Sequence, residues 1–441
     1  MALVRAPQPL GMRPSFGFGD RVGLATPGHI DALRAYGGPI QPVFAQQSLR
    51  ELTRTGRRPG DVLRDTVAAL ERNSFGGVWS ADADHLKSQE DINAAASAGF
   101  VYFTLSVSDL VDPRADDYSP SEIEKRFKDL HDDVHWADCY HGQPVTFDGG
   151  SLTLERAAGR RAAVKFGRAL AHAVKLAAHA ERVMAKRREP HEIELCLDDT
   201  AAPATPAEHY ILVDQCRQSN VRPTCVALRW ANGWEPGIDF PGDAVQFAAD
   251  IAVHAAIARH LGPYKLALHC GSDKFALYEA LARATGGLLH VKTAGTSYLE
   301  SLRVAARKER KLFRRIVDFS RERFQRDRAT YRVSARPELV PHAAAVADDA
   351  ALERLYLDAP HGRQILHVTF GSVLTDHVLG PCLRDVLVAH PDLHRELIAK
   401  HLGRHLQALA RGLETAERRF DAGHGPATNH TAVAPARASG K

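Results

Sequence analysis

Acids, imidazoles and lysines gather in this 441-residue chain at the ends of short apolar runs. GGVWSADADH (76–85) finishes in Ser80, Asp82, Asp84 and His85, with Lys87 just beyond. EIELCLDD (192–199) finishes in Asp198 and Asp199. KLALHCGSD (265–273) carries His269, Ser272 and Asp273 and is followed by Lys274, while LLHVKTAG (288–295) carries His290, Lys292 and Thr293. Imidazoles and carboxylates brought from separate strands to one mouth make a divalent-cation site with positions left open for substrate. Such N/O ligation leaves Zn, Mn, Ni and Co open. Paired carboxylates can also act as acid and base toward a hydroxyl proton.

Each group has a structural alternative. A lone His near a strand end is usually a hydrogen-bonded core residue, but His269 and His290 each follow an apolar run and precede a Gly/Ser/Thr-rich loop. The Asp198–Asp199 pair stands ahead of a helical stretch, so one of them could cap it by accepting backbone N–H bonds. Lys274 could simply pair with Asp273. Asp82 and Asp84, two apart on an extended segment, point the same way. Nucleotide and acyl-transfer chemistry find no support. The chain has no GxxxxGK[ST] and no GxSxG, and FGFGD (16–20) lacks the third glycine of a dinucleotide fingerprint.

Positioning these residues requires strands that end together. The runs at 21–26, 42–48, 76–85, 100–109, 192–199, 224–230, 265–273 and 288–295 read as parallel strands buried on both faces. Helices such as 60–73, 244–261 and 273–285 alternate with them, which predicts a (β/α)8 TIM-like barrel with its site at the C-terminal strand ends. A doubly wound sheet is the alternative, and 365–374 reads as either a ninth strand or a helix. Residues 1–14 form an N-terminal extension in this reading, and 15–420 a single catalytic barrel. A helical insertion interrupts the rhythm near 110–190, and 298–420 is a C-terminal helical region. The Gly/Ala/Pro-rich tail, 421–441, is expected to be disordered.

The helix at 298–330 is rich in Arg and Lys, but 57 basic against 53 acidic residues is a near balance. A solvated helix face therefore explains it better than nucleic acid. Six scattered cysteines without a CxxC suit reduced, buried thiols. No run approaches the roughly 18 apolar residues of a membrane span, and the first residues lack the apolar core of a signal peptide. The expected setting is the cytoplasm, with neither membrane nor nucleic acid as a partner. A homo-oligomer stays open.

The segments SFGFGDRVGLATPGH (15–29), PVFAQQSLRELTRTGR (42–57), ADADHLK (81–87), ALRWANGWEPGIDFPGD (227–243), LHCGSDKF (268–275), HVKTAGTSYLESLRV (290–304) and LHVTFGSVL (366–374) together resemble the tagaturonate epimerases. That family includes enzymes noted for acting on the ketohexose tagatose. The matches run in the family's order through most of the chain. There are two departures: the family has a further region ahead of the SFG segment, and Asp199 stands where Glu is expected.

The resemblance implies a divalent-metal epimerase interconverting D-tagaturonate and D-fructuronate. The inverting carbon is β to the ketone, so its C–H bond is not acidified. Retro-aldol cleavage and re-addition then suits it better than deprotonation, and a metal Lewis acid would stabilise the enediolate. The resemblance also implies roles. His85, His269 and His290 would bind the metal, with Asp198 or Asp199 as a fourth ligand. Asp84 would be the general base and Asp199 the acid. Lys274 and Lys292 would hold the substrate carboxylate or polarise an oxygen. Gln46, Gln47 and Arg229 would hydrogen-bond hydroxyls or the carboxylate. Lys87, Ser272, Asp273 and Thr293 complete the substrate set, with His367 as a further site residue. A metal-dependent sugar isomerase or aldolase on the same barrel is the nearest alternative, and a non-catalytic sugar-binding regulator the alternative from another class.

Overall fold

Short runs of alternating side chains build the barrel. The computed structural model describes residues 4–423. Its strands are β1 (Ser15–Phe18), β2 (Gln41–Ser48), β3 (Ser80–Leu86), β4 (Tyr102–Ser106), β5 (Gln143–Phe147), β6 (Gly150–Leu154), β7 (Glu192–Leu197), β8 (Cys225–Leu228), β9 (Lys265–Leu268) and β10 (Leu289–Thr293). All but β5 and β6 close a parallel barrel in the order β1-β10-β9-β8-β7-β4-β3-β2. This is the expected TIM-like α/β architecture. Register places Gln46 beside Asp82, Ser48 beside Asp84, Ser106 beside Cys196 and Lys292 beside Gly17.

The first strand differs from expectation. It is Ser15–Phe18, and 21–26 is a loop. Phe16 and Phe18 are fully buried, and Gly17 leaves room for the Gln46 side chain. The chain then turns on Asp20, whose carboxylate accepts from the backbone of Val22, Gly23 and Ala25. Residues 365–374 are helical, in Pro360–Val368 and Phe370–Thr375.

The segment at 110–190 holds two different things. Helix Pro120–Val134 and the β5–β6 hairpin are additions, whereas Arg156–Arg187 is a barrel helix packed between Gln89–Ala98 and Pro206–Gln218. The C-terminal region divides likewise. Helices from Thr296–Lys308 to Leu379–Ala389 enclose a second core of Leu302, Phe313, Ile316, Tyr356 and Phe370. The last helix, Pro391–Gly423, returns to pack against Thr26–Tyr36 and Tyr278–Thr285, completing the helical ring. Some basic residues of 298–330 are tied into this bundle, Arg303 pairing with Glu300, Glu353 and Asp358 and Arg314 with Asp349, while Lys308, Lys311 and Arg315 are exposed. At the barrel's opposite end, Leu10 and Gly11 donate backbone N–H bonds to Glu192. The expected tail beyond 423 lies outside the described residues. Among the described residues, no helix is long and apolar enough to cross a membrane.

Candidate active site

Strand alternation builds the site from below. On β7 and just past its end, Glu192, Glu194, Cys196 and Asp198 fall two apart and so share the lumen face. Lys292 on β10 meets them across the lumen. Its Nζ lies 2.7 Å from Asp82, 2.9 Å from Asp84 and 3.0 Å from Glu194, and it donates to Thr104 at 2.7 Å. Burial opposes the charge on Lys292, but the surrounding carboxylates outweigh it and push its pKa well up. Burial pushes Asp82 up to about 7, with Asp84 and Glu194 adding to the rise against the pull of Lys292. For Asp84 the balance reverses: burial is outweighed by His85 and Lys292, which hold it well below the ordinary carboxylate range.

Above this layer lie two imidazoles, a thiol and a carboxylate. The β3–β4 register shifts between Ala83 and Leu86, and this bulge turns His85 inward at φ 61°. His85 Nδ1 lies 2.9 Å from Asp84, and its Nε2 is 3.9 Å from both Asp198 and the Cys196 sulfur. His269 sets Nδ1 3.0 Å from Asp198 and 3.7 Å from the Cys196 sulfur. Its Nε2 is held by Glu194, the kind of outer contact that orients a ligating imidazole. Donor atoms of His85, Cys196, Asp198 and His269 all fall within 4.8 Å of one another. Burial disfavours charge on both imidazoles, but Asp84 beside His85, and Asp198 beside His269, raise them well above the ordinary histidine range.

His290 is not brought to this group. It sits two residues below Lys292 on the same strand, roughly 6–7 Å deeper in the lumen. There its Nδ1 hydrogen-bonds Ser15 at 2.9 Å, and Cys196 stands at the mouth in its place. Asp273, His401 and His405 also cluster, but not as an open ligand set. The Asp273 carboxylate is bound by Arg363 and His401, both at 2.6 Å, and His405 Nε2 accepts the Asp273 backbone N–H. Asp273, Arg363 and His401 wall a neighbouring recess of about 490 Å³.

The strand-end acids and imidazoles face a different cavity, of about 430 Å³, at the barrel mouth. Gln46, Asp84, His85, Lys87, Asp198, Asp199, His269, Ser272, Lys292 and His367 line it, as the sequence reading expected of a site. Other expected residues do not reach it. Gln47 points the opposite way from Gln46 and accepts from Arg57. Arg229 donates to the carbonyls of Thr200 and Ala201, and Lys274 to those of Glu235 and Ile238, so both brace loops. Thr293 bonds the Gly17 carbonyl, and Asp273 is held in the network above. The capping alternative for Asp198 and Asp199 is removed, because Thr205 caps helix Pro206–Gln218 in a capping box with Glu208. Asp199 instead stands exposed at the cavity lip, 3.8 Å from Arg332.

Sequence reasoning missed Glu194, Cys196 and Thr104, although the alternation of EIELCLD and YFTLS marks all three as lumen residues. It also missed Arg50 and Tyr331, which line the cavity where the second helical core, with Tyr331 and His367, covers the barrel mouth as a lid. Nothing in their local pattern singles them out.

A closed α/β barrel with imidazoles, carboxylates and a buried lysine around one mouth cavity defines a barrel enzyme that works on small polyhydroxylated molecules. The chain belongs to the UxaE tagaturonate epimerase family, whose model matches residues 3–409. It is 39% identical over 399 residues to the tagaturonate/fructuronate epimerase of Thermotoga maritima, covering 90% of this chain and 81% of that protein. The crystal structure of fructuronate-tagaturonate epimerase UxaE from Cohnella laeviribosi superposes with TM-score 0.87 at 31% identity, over 92% of this chain and 83% of that one. The same enzyme in complex with one glycerol gives the same TM-score of 0.87. The resemblance carried by the loops is borne out.

Proposed function

We propose that this chain interconverts D-tagaturonate and D-fructuronate by retro-aldol cleavage and re-addition. The reading rests on one observation: in a member of this family, a charged Lys292–Asp84 pair faces the same mouth cavity as His85, Asp198 and His269, with the Cys196 sulfur buried behind these three. A divalent ion fits that cluster, since two imidazoles, a carboxylate and a thiol converge there and Glu194 already orients His269. The thiol favours Zn, Co or Ni over Mn. Bound there, the ion would supply Lewis-acid stabilisation of negative charge on the ketone-derived oxygens.

The protein's own groups handle the proton. Asp84, ion-paired with Lys292, accepts the hydroxyl proton of the inverting carbon. The bond between that carbon and the one next to the ketone breaks, giving an aldehyde and an enediolate. The aldehyde turns its other face, the bond re-forms, and the new alkoxide takes back a proton. Asp199 at the lip, outside the His85–Cys196–Asp198–His269 cluster, serves as the acid that returns it. Lys292 bridges Asp84 and Asp82 and holds Asp84 in place for that proton. Six free cysteines fit a reducing, cytoplasmic setting.

Tagaturonate incubated with the protein in D₂O should yield fructuronate by NMR without deuterium on the inverting carbon. Incorporation there rules out cleavage. Prior EDTA treatment should abolish turnover, and divalent metal should restore it.

A further inference from the structure

We propose that Arg50 binds the substrate's carboxylate and so sets the preference for a hexuronate over a neutral ketohexose. The proposal rests on the functional reading above. A hexuronate carries its carboxylate at the end of the chain opposite the ketone, so the cation that binds it belongs on the cavity wall away from the strand-end cluster.

Four Arg and Lys side chains line the cavity: Arg21, Arg50, Lys87 and Lys292. Three are already neutralised. Arg21 is buried against Glu51 at 2.7 Å and stacks on Phe370. Lys292 lies among three carboxylates. Lys87 pairs with Asp109 at 2.5 Å. Arg50 has no carboxylate within ion-pair distance among the described residues. Its guanidinium gives one hydrogen bond, at 3.3 Å to the Thr330 carbonyl, out of the five N–H donors an arginine carries.

That guanidinium is nevertheless held in place. It lies 4.9 Å from the Tyr331 ring centroid, and Arg54 lies 5.0 Å from the same ring. Stacking on an aromatic face leaves the planar fork of an arginine free for bidentate contact with a carboxylate. The residue is the second of helix Leu49–Thr55, two positions after the capping Ser48 that ends β2. It therefore combines an anchor on the barrel, a support from the helical lid and an unused set of donors facing a cavity.

The test measures tagaturonate kinetics and calorimetric binding of neutral tagatose for the wild type, Arg50→Met, Arg50→Lys and Lys87→Met. Arg50→Met should raise the tagaturonate KM by about tenfold or more with a far smaller change in kcat, as expected for losing a bidentate charged contact at the cavity rim. It should weaken tagatose binding by less than about threefold. Arg50→Lys should recover roughly a tenth of the lost affinity, because it keeps the charge without the fork. Equal losses for both sugars would make Arg50 a brace for Tyr331 and overturn the proposal. So would an unchanged KM, or a larger KM effect in Lys87→Met. Failure of the wild type to convert tagaturonate would instead overturn the functional reading, whatever the variants do.

Discussion

Asp82 and Asp84 lie two residues apart on one strand, yet their surroundings drive them to opposite protonation behaviour. Asp82 is sealed below Lys292 with two other carboxylates near it, and burial pushes it up to about 7. Asp84 touches both Lys292 and His85 and opens onto the cavity. Asp84→Asn should therefore lower kcat by about 100-fold or more while the protein still folds, since an amide fills the space without accepting a proton. Asp199→Asn should cost a similar order if Asp199 is the acid, with thermal stability unchanged because Thr205 does the capping. A lowered melting temperature with full activity would remove Asp199 from the mechanism. The residue types at the mouth were legible because acids and histidines at strand ends are conspicuous. Depth was not. His290 looks like His269 in sequence, and only the stagger of β9 against β10 puts one at the mouth and the other beneath Lys292.

Elements from two cores meet at His367. Its helix, Pro360–Val368, belongs to the lid bundle, yet the imidazole is fully enclosed between two glycines of barrel loops. A Cβ on Gly295 would lie 1.9 Å from its Cε1, and one on Gly237 3.3 Å from its Nδ1. Burial holds this imidazole well below the ordinary histidine range, with Arg21 next in effect, so it enters the cavity neutral. Gly295→Ala should displace it and lower kcat/KM at least tenfold, at a stability cost of about 1–3 kcal/mol from overpacking. In a His367→Ala background the same change should cost little further activity, and a fully additive second loss would sever the glycine from the histidine. The barrel strands were readable from apolar runs except β1, whose four residues are too short to stand out beside the longer RVGLAT. Reading EIELCLD as a continuous apolar run hid its period of two, and with it Glu194 and Cys196. The lid's approach to the mouth has no sequence signal, because it depends on contacts more than 100 residues apart, such as Arg363 with Gly237.

At the scale of the whole molecule, the fold keeps many histidines neutral by enclosing them, and this ties stability to pH. His209, His254 and Tyr264 form a buried chain, with 2.9 Å between the two Nδ1 atoms and 2.8 Å from His209 Nε2 to the tyrosine oxygen. Two imidazolium ions cannot face each other across that contact. Burial lowers His254 from 6.5 to about 4, and it lowers His29 to about 4 and His405 to about 3 in the same way. In each case the unfolded chain takes up a proton before the folded one does. The stability these residues contribute is complete above pH 6.5 and is lost as pH falls toward their folded values. Without a bound ion His85 and His269 are raised instead, so in the metal-free protein their contribution is complete below pH 6.5 and fades on the alkaline side. A bare stability profile would mix the two, and a difference between variants separates them. For His254 alone, the loss between pH 7.5 and 5.0 comes to about 2 kcal/mol by linkage. His254→Gln keeps a hydrogen-bonding partner for His209 but removes the titration. Urea unfolding at both pH values should show the variant losing about 2 kcal/mol less than the wild type. Equal losses would mean that His254 is not held neutral by its surroundings and that the acid sensitivity lies elsewhere in the chain.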